Sequence, residues 1–512
     1  MITPIKKPKL HQYITALLVM GCSCFVSAQQ QNQTLVLAGS DYTKLAPNTA
    51  LYLLNTNTIN DIASKWPNKN DKAKSATVKS LNTLLKKIPS ESVLKSNLLW
   101  QWRDSNNEQL NSLTKQEFNF VFDMLEQPST AKNTKQNEQL NSISQFIVGS
   151  LKVASPNPTM LLVSAAQRDP YAQVAGLKRL LPANVTSQWL ALTPALAKAI
   201  TQNTCNELPT LRQTQMAVFN RDKVYPALTQ AEQALCNKGV PALVNLIKSS
   251  TGILFSDGNS ERVQKVLFDN NNKPYPWTAA IKSRSVIVGL GAGSKVQGAK
   301  VYSSKINNVD ALLSDNKANS AAIKTGVNTF KYGLLDTHFS EQNRTFNLAT
   351  ALKSNTVQGL NIKNGFGVDK NTALVVIKSN QGDLITVIGE SGVVHLNTTK
   401  QADTYSYSYW PAGSVINITN NTFSLSERTI SQALPSVKIP PLPVQRFGNI
   451  LTDTKLRSLT QAMCLSQEQS AVGQQDEFLI NLTATDSTLY YRVNATQYGC
   501  AVSNLNISVK SF

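Results

Sequence analysis

Apolar positions along the chain follow three different spacings. Gln33-Thr-Leu-Val-Leu-Ala-Gly-Ser40 is an apolar run closed by a glycine turn, the pattern of a buried strand. From about 55 to 155 the sequence turns polar and rich in Asn, Lys and Gln. Within it Leu81, Leu84 and Leu85, and then Phe118, Val121, Phe122 and Leu125, recur at helical intervals, which predicts a helical insertion rather than a disordered tract. Beyond Pro158 the pattern alternates, predicting strands at 159–164, 188–192, 251–256 and 285–288 and helices at 171–181, 241–249, 260–268 and 277–284. Such alternation predicts a parallel sheet with helices on both faces. Its site should lie beyond the C-terminal strand ends, where 256–260 and 289–294 converge. After the strand 371–377 the chain reads as short antiparallel strands, among them Tyr405, Tyr407 and Tyr409 on one face, either packed or a platform for a sugar.

These shifts divide the chain into a leader (1–28), a first core strand (29–54), the helical insertion (55–155), an α/β core (156–400) and an antiparallel extension (401–434). A stiff Pro-rich linker (435–445) and a C-terminal appendage (446–512) complete it. The leader has no acidic residue, carries Lys6, Lys7 and Lys9, runs apolar from Tyr13 to Val26 and ends in Val26-Ser27-Ala28. This is the form of a secretory signal cleaved after Ala28, with lipidation at Cys22 the alternative. Export is therefore expected, to the periplasm or beyond the cell. The remaining cysteines, Cys205, Cys236, Cys464 and Cys500, suggest disulfides; proximity favours 205 with 236 and 464 with 500, among three possible pairings.

The formal charge of the chain is +19, which favours anionic surroundings such as envelope polymers. The lysines are scattered, without a long basic run or interleaved aromatics, so no nucleic-acid partner is expected. No cysteine has metal-site spacing, and beyond the leader only His338 and His395 remain as histidines, so no metal or cofactor is expected.

The stretch Val288-Gly-Leu-Gly-Ala-Gly-Ser294 follows a strand and opens a helix. As a dinucleotide loop it fails, because Ser294 stands at the third glycine position and no acidic residue ends the next strand. As a nucleophile elbow its small flanking residues are right. It resembles the V-G-G-T-S-A-G-A elbow of the cyanophycinase and peptidase E family of serine peptidases. Gly252-Ile-Leu-Phe-Ser-Asp-Gly-Asn-Ser-Glu-Arg262 resembles that family's G-I-x-F-x-G-G-D-Q-x-R oxyanion and substrate loop. Leu335-Asp-Thr-His-Phe-Ser-Glu-Gln-Asn-Arg344 resembles its histidine segment D-Q-H-F-x-x-R-x-R. Gly365-Phe-Gly-Val-Asp-Lys-Asn-Thr-Ala-Leu-Val-Val376 resembles G-I-G-I-D-E-x-T-A-L-V-V, which carries the acidic partner. The resemblance covers 159 to about 400 and implies a three-layer, flavodoxin-like α/β core, as in class I glutamine amidotransferases.

The departures lie at the chemistry. The nucleophile falls on Gly291, which cannot form an acyl-enzyme, and the acid that orients His338 falls on Lys370. Ser260 stands for the loop glutamine, and Asp257 replaces a glycine where negative charge develops in catalysis. Ser294 and Ser340 are the substitute serines to consider, and His395 reads as a strand residue. The resemblance with these changes implies an inactive homologue whose pocket, lined by Asp257, Gly258, Asn259, Ser260, Arg262, His338 and Arg344, binds a peptide. Asp257 would then select a basic or Arg-bearing ligand. Two other readings remain: a hydrolase of altered chemistry in which Asp257 and His338 activate water, and a basic envelope protein with a vestigial pocket.

Overall fold

A computed structural model describes residues 32–40, 50–88, 90–128, 141–303, 322–357, 359–401, 403–436 and 448–511. The leader, Cys22 and most of the Pro-rich linker lie outside the described residues.

The molecule is α/β, built around a nine-stranded mixed sheet and an eight-stranded second sheet. The first strand, Gln33–Ala38, is central to the larger sheet. On one side it pairs in parallel with Val286–Leu290, followed by Gly252–Phe255, Thr159–Val163 and Thr186–Trp189, all parallel. On the other it pairs antiparallel with Thr372–Lys378, which leads to Leu384–Gly389, Val415–Thr419 and Thr422–Leu425. Alternation along Gln33–Ala38 sends Leu35 and Leu37 into one core and Val36 and Ala38 into another on the opposite face. Helix Ser142–Ala154 covers the second face with Ile143, Ile147 and Leu151, while Pro194–Gln202 and Ser260–Leu267 pack on the first.

The second sheet runs Leu334–Thr337, Asn364–Val368, Gly392–Thr398, Thr404–Pro411, Cys500–Ser511, Phe478–Thr483 and Ser470–Gln475, with Leu489–Arg492 also on Cys500–Ser511. The stretch 446–512, which composition sets apart, thus supplies strands to a sheet that 334–411 begins. Tyr405, Tyr407 and Tyr409 are buried in that sheet's core, so their row is a packed face. His395 is also buried, stacked on Trp410 and paired through Nε2 with Asn364 Oδ1 at 2.9 Å; burial lowers its pKa to about 3.

Between 50 and 128 the helices Thr56–Ser64, Asp71–Leu85, Lys95–Ser112 and Lys115–Leu125 form their own small core around Ile62, Leu81, Trp102 and Phe122. Thr114-Lys-Gln-Glu117 starts the last of these as a capping box, with the Glu117 N–H on Thr114 Oγ1 and the Thr114 N–H on Glu117 Oε2. Disulfides join Cys205 to Cys236 and Cys464 to Cys500. No described helix is long and apolar enough to cross a membrane.

Candidate functional site

The parallel strands all end at one edge of the larger sheet, so Gly39-Ser40, Ser164, Ser256-Asp257 and Gly291 are brought together there. The end of Leu334–Thr337 joins them from the second sheet, through the His338 N–H on Gly39 O at 3.2 Å.

Gly291 is the apex of a sharp strand-to-helix turn. Its backbone, at φ 48° and ψ −110°, lies in a region disfavoured for side-chain-bearing residues, as a nucleophile elbow requires. The helix behind it, Ala292–Lys295, passes so close to the sheet that a Cβ on Gly293 would stand 2.5 Å from Phe255 O. Ser294 is fully buried, its hydroxyl directed at Ala38 O and Gly289 O, both at 2.8 Å. It ties the elbow to the first strand and faces away from the apex.

The space above Gly291 is filled by Asp257. A Cβ built on Gly291 would come within 1.8 Å of Asp257 Oδ1 and 2.1 Å of its Cγ. Oδ1 accepts the Gly258 N–H at 2.7 Å and the Ala292 N–H at 2.9 Å; Oδ2 lies 2.8 Å from His338 Nε2. The Ser40 hydroxyl adds a further bond. The amide after an elbow apex is the usual oxyanion donor. Here it already holds an anion.

Burial by itself would raise the Asp257 pKa, but the bonds from His338 and Ser40, the charge attraction of His338 and the Ala292 amide outweigh it and hold the group at about 2. A carboxylate accepts about four hydrogen bonds, and here four donors surround it. Most of the acceptor capacity of Asp257 is therefore used within the protein, while its side chain is still 28% exposed.

His338 is held in a turn at φ 52°, and its Nδ1 is buried without a hydrogen-bond partner among the described residues. A serine–histidine–acid triad would place its acid at that nitrogen. The acidic residue beside Lys370 looks elsewhere: Asp369 accepts from Arg457 Nη1 at 2.7 Å and from the Ser340 N–H at 3.0 Å, while Glu341 receives Arg457 and the Lys370 N–H. Burial and the Glu341 charge push Asp369 up to about 6, against the pull of Arg457. Arg457, from helix Lys455–Ser466, thus ties the C-terminal part of the chain to the loop that follows His338. Nothing in the sequence spacing pointed to that tie.

Asn259, Gly258 and Arg344, also expected at the pocket, have structural neighbours of their own. Asn259 caps the helix Ser260–Leu267, its Oδ1 accepting the Glu261 N–H at 2.7 Å; Gly258, at φ 140°, lies against Ala166 O. Arg344 donates its Nε–H to Asp336 Oδ2 at 2.6 Å, within a buried group that includes Lys295 at 2.9 Å and the Tyr302 hydroxyl. Arg262 is half-buried and makes no ion pair among the described residues; burial and the nearby Arg168 charge lower its pKa. Of the residues expected at the site, the structure brings together Asp257, Gly258, Gly291 and His338. Ser40 joins them, marked in sequence only by the glycine turn that ends the first strand.

One acidic group outside this site has the composition of a metal centre: Asp123, Glu126 and Asp169. It is occupied by arginines. Arg221 Nη1 reaches Glu126 at 2.8 Å and Asp169 at 2.6 Å, and Arg168 takes both oxygens of Asp123 at 2.8 Å. The cluster fastens the helical insertion to the loop after Thr159–Val163.

No family model matches the chain. Among solved structures it is similar to the crystal structure of a peptidase from an acI-B1 Actinobacterium, with 18% identity and a TM-score of 0.33 over 54% of this chain and 91% of that one. The likeness is loose, and the site stands on its own geometry.

Proposed function

We propose that the chain is an inactive relative of the cyanophycinase and peptidase E-like serine peptidases, with a flavodoxin-like core, whose elbow has become an internal hydrogen-bonded lock. The observation that carries this reading is the Asp257 carboxylate in the space an elbow side chain would need, bonded to the Ala292 amide and to His338. Acyl transfer requires a nucleophile at the apex and an empty oxyanion site. Gly291 supplies no nucleophile, and Asp257 puts a fixed negative charge where the oxyanion would form. Position 370 carries a lysine, and among the described residues no acid bonds His338 Nδ1. The protein then acts by binding or scaffolding in an oxidising compartment outside the cytoplasm, a setting that the two disulfides favour.

A fluorophosphonate probe for activated serines tests this. The purified protein is expected to remain unlabelled, and labelling of any serine in it overturns the reading. The double variant Gly291→Ser, Asp257→Gly is the informative companion. It restores a hydroxyl and vacates the oxyanion amide in one step, and should gain label at position 291, whereas Gly291→Ser alone should not.

A further inference from the structure

A cavity of about 260 Å³ opens between the last turn of helix Lys455–Ser466, the strand Leu489–Arg492 and the segment that leads into the Pro-rich stretch. Its apolar walls are Leu434, Leu465, Tyr490 and Tyr491, and the Cys464–Cys500 disulfide forms part of its lining. Among the described residues, no acidic one lines it.

The walls are fixed before anything binds. The Tyr490 hydroxyl donates to Glu468 O at 2.9 Å, Gln467 Nε2 donates to Cys464 O at 2.9 Å, and the Leu434 N–H donates to Arg492 O at 2.7 Å. Strand pairing with Cys500–Ser511 and the disulfide hold the remaining side. Arg492 is different, since it is a lining residue of the cavity whose guanidinium has neither an ion pair nor a hydrogen bond among the described residues. A planar guanidinium offers a fork of donors that matches a carboxylate in two parallel bonds.

We propose that this cavity binds a small monocarboxylate with an apolar body, the carboxylate on Arg492 and the body against Leu434, Leu465 and the two tyrosines. A single cation matches a single negative charge. The volume lies below the roughly 300–1,000 Å³ of drug-sized pockets, which limits the ligand to a short chain or one ring. This inference does not depend on the reading of the elbow.

The test uses the full chain, with octanoate and its uncharged counterpart 1-octanol as probes, followed by calorimetry and ligand-observed NMR. Octanoate should bind at least tenfold more tightly than octanol, the worth of one charge-assisted bond. Arg492→Gln should remove that difference by weakening octanoate about tenfold and leaving octanol unchanged. Ser436→Trp, at the cavity mouth, should weaken both, which keeps the proposal testable should Arg492→Gln fold poorly. Equal affinity for the two probes, octanoate binding that survives either substitution, or no saturable binding at millimolar concentrations would overturn it.

Discussion

At the scale of single residues, the decisive feature is the contact between two positions. Gly291 stands at the apex of the turn, and the Asp257 carboxylate takes the room a side chain there would need. The two positions should therefore be strongly coupled. Gly291→Ser alone introduces a clash and a strained backbone, and should cost about 2–4 kcal/mol in urea unfolding. With Asp257→Gly in addition, much of that loss should return, a coupling of about 1–3 kcal/mol in a double-mutant cycle. Simple additivity would mean that the carboxylate is not where the clash arises. Two carboxylates also predict opposite pH slopes. Asp257, depressed to about 2, lies below the unfolded carboxylate value, so its contribution to stability is present above about pH 4 and fades as pH falls through 2. Asp369, raised to about 6, has the reverse sign: its contribution is full below about pH 4 and is lost as pH rises through 6. Unfolding free energies of Asp257→Asn and Asp369→Asn, measured from pH 2 to 8 against the parent, should show these two slopes removed one at a time. The glycine apex, the aspartate and the histidine were each legible in the sequence. Their arrangement was not, because spacing along the chain does not show that local backbone amides and a histidine across the site lie within bonding distance of that carboxylate.

At the scale of elements, a buried ionic cluster attaches the helical insertion to the core. Arg221 is 1% exposed and faces Asp123, Glu126 and Asp169, so Arg221→Ala would leave buried carboxylates uncompensated. That should cost about 3–5 kcal/mol, with faster protease cleavage between 50 and 128 as the second readout. The Cys464–Cys500 bond closes a loop with a sequence separation of 36 and should contribute about 4 kcal/mol, measured as the difference in unfolding free energy between oxidised protein and the Cys464→Ala, Cys500→Ala variant. The individual elements were largely readable from spacing: the strands expected near 33, 159, 251, 285 and 371 and the helices near 260 and 277 all form, with ends shifted by a residue or two. The helix expected at 171–181 shrinks to Val174–Lys178, where turns bring Arg168 and Asp169 to the ionic cluster. Long-range pairing is what periodicity could not supply. Nothing local in Cys500–Ser511 shows that it lies between Thr404–Pro411 and Phe478–Thr483.

At the scale of the whole molecule, the excess of 50 basic over 31 acidic residues persists after the internal ion pairs are formed. The protein should bind an anionic matrix at neutral pH and elute on a salt gradient with a single broad dependence, since scattered surface charges are screened within about 10 Å at 0.1 M salt. Retention in high salt would instead indicate a specific partner on the matrix.

The central position of Gln33–Ala38 also governs how the chain can be made. Its neighbours in the sheet are Val286–Leu290 and Thr372–Lys378, so a nascent chain emerging from the ribosome must carry this apolar segment unpaired until some 250 further residues have been synthesised. Contacts of such separation make folding slow and leave sticky strands exposed along the way. The central sheet gains little from folding during synthesis, since its strands must stay open until residues 372–378 have been made. That is also the condition a polypeptide must meet to be threaded, unfolded, through a narrow translocation channel.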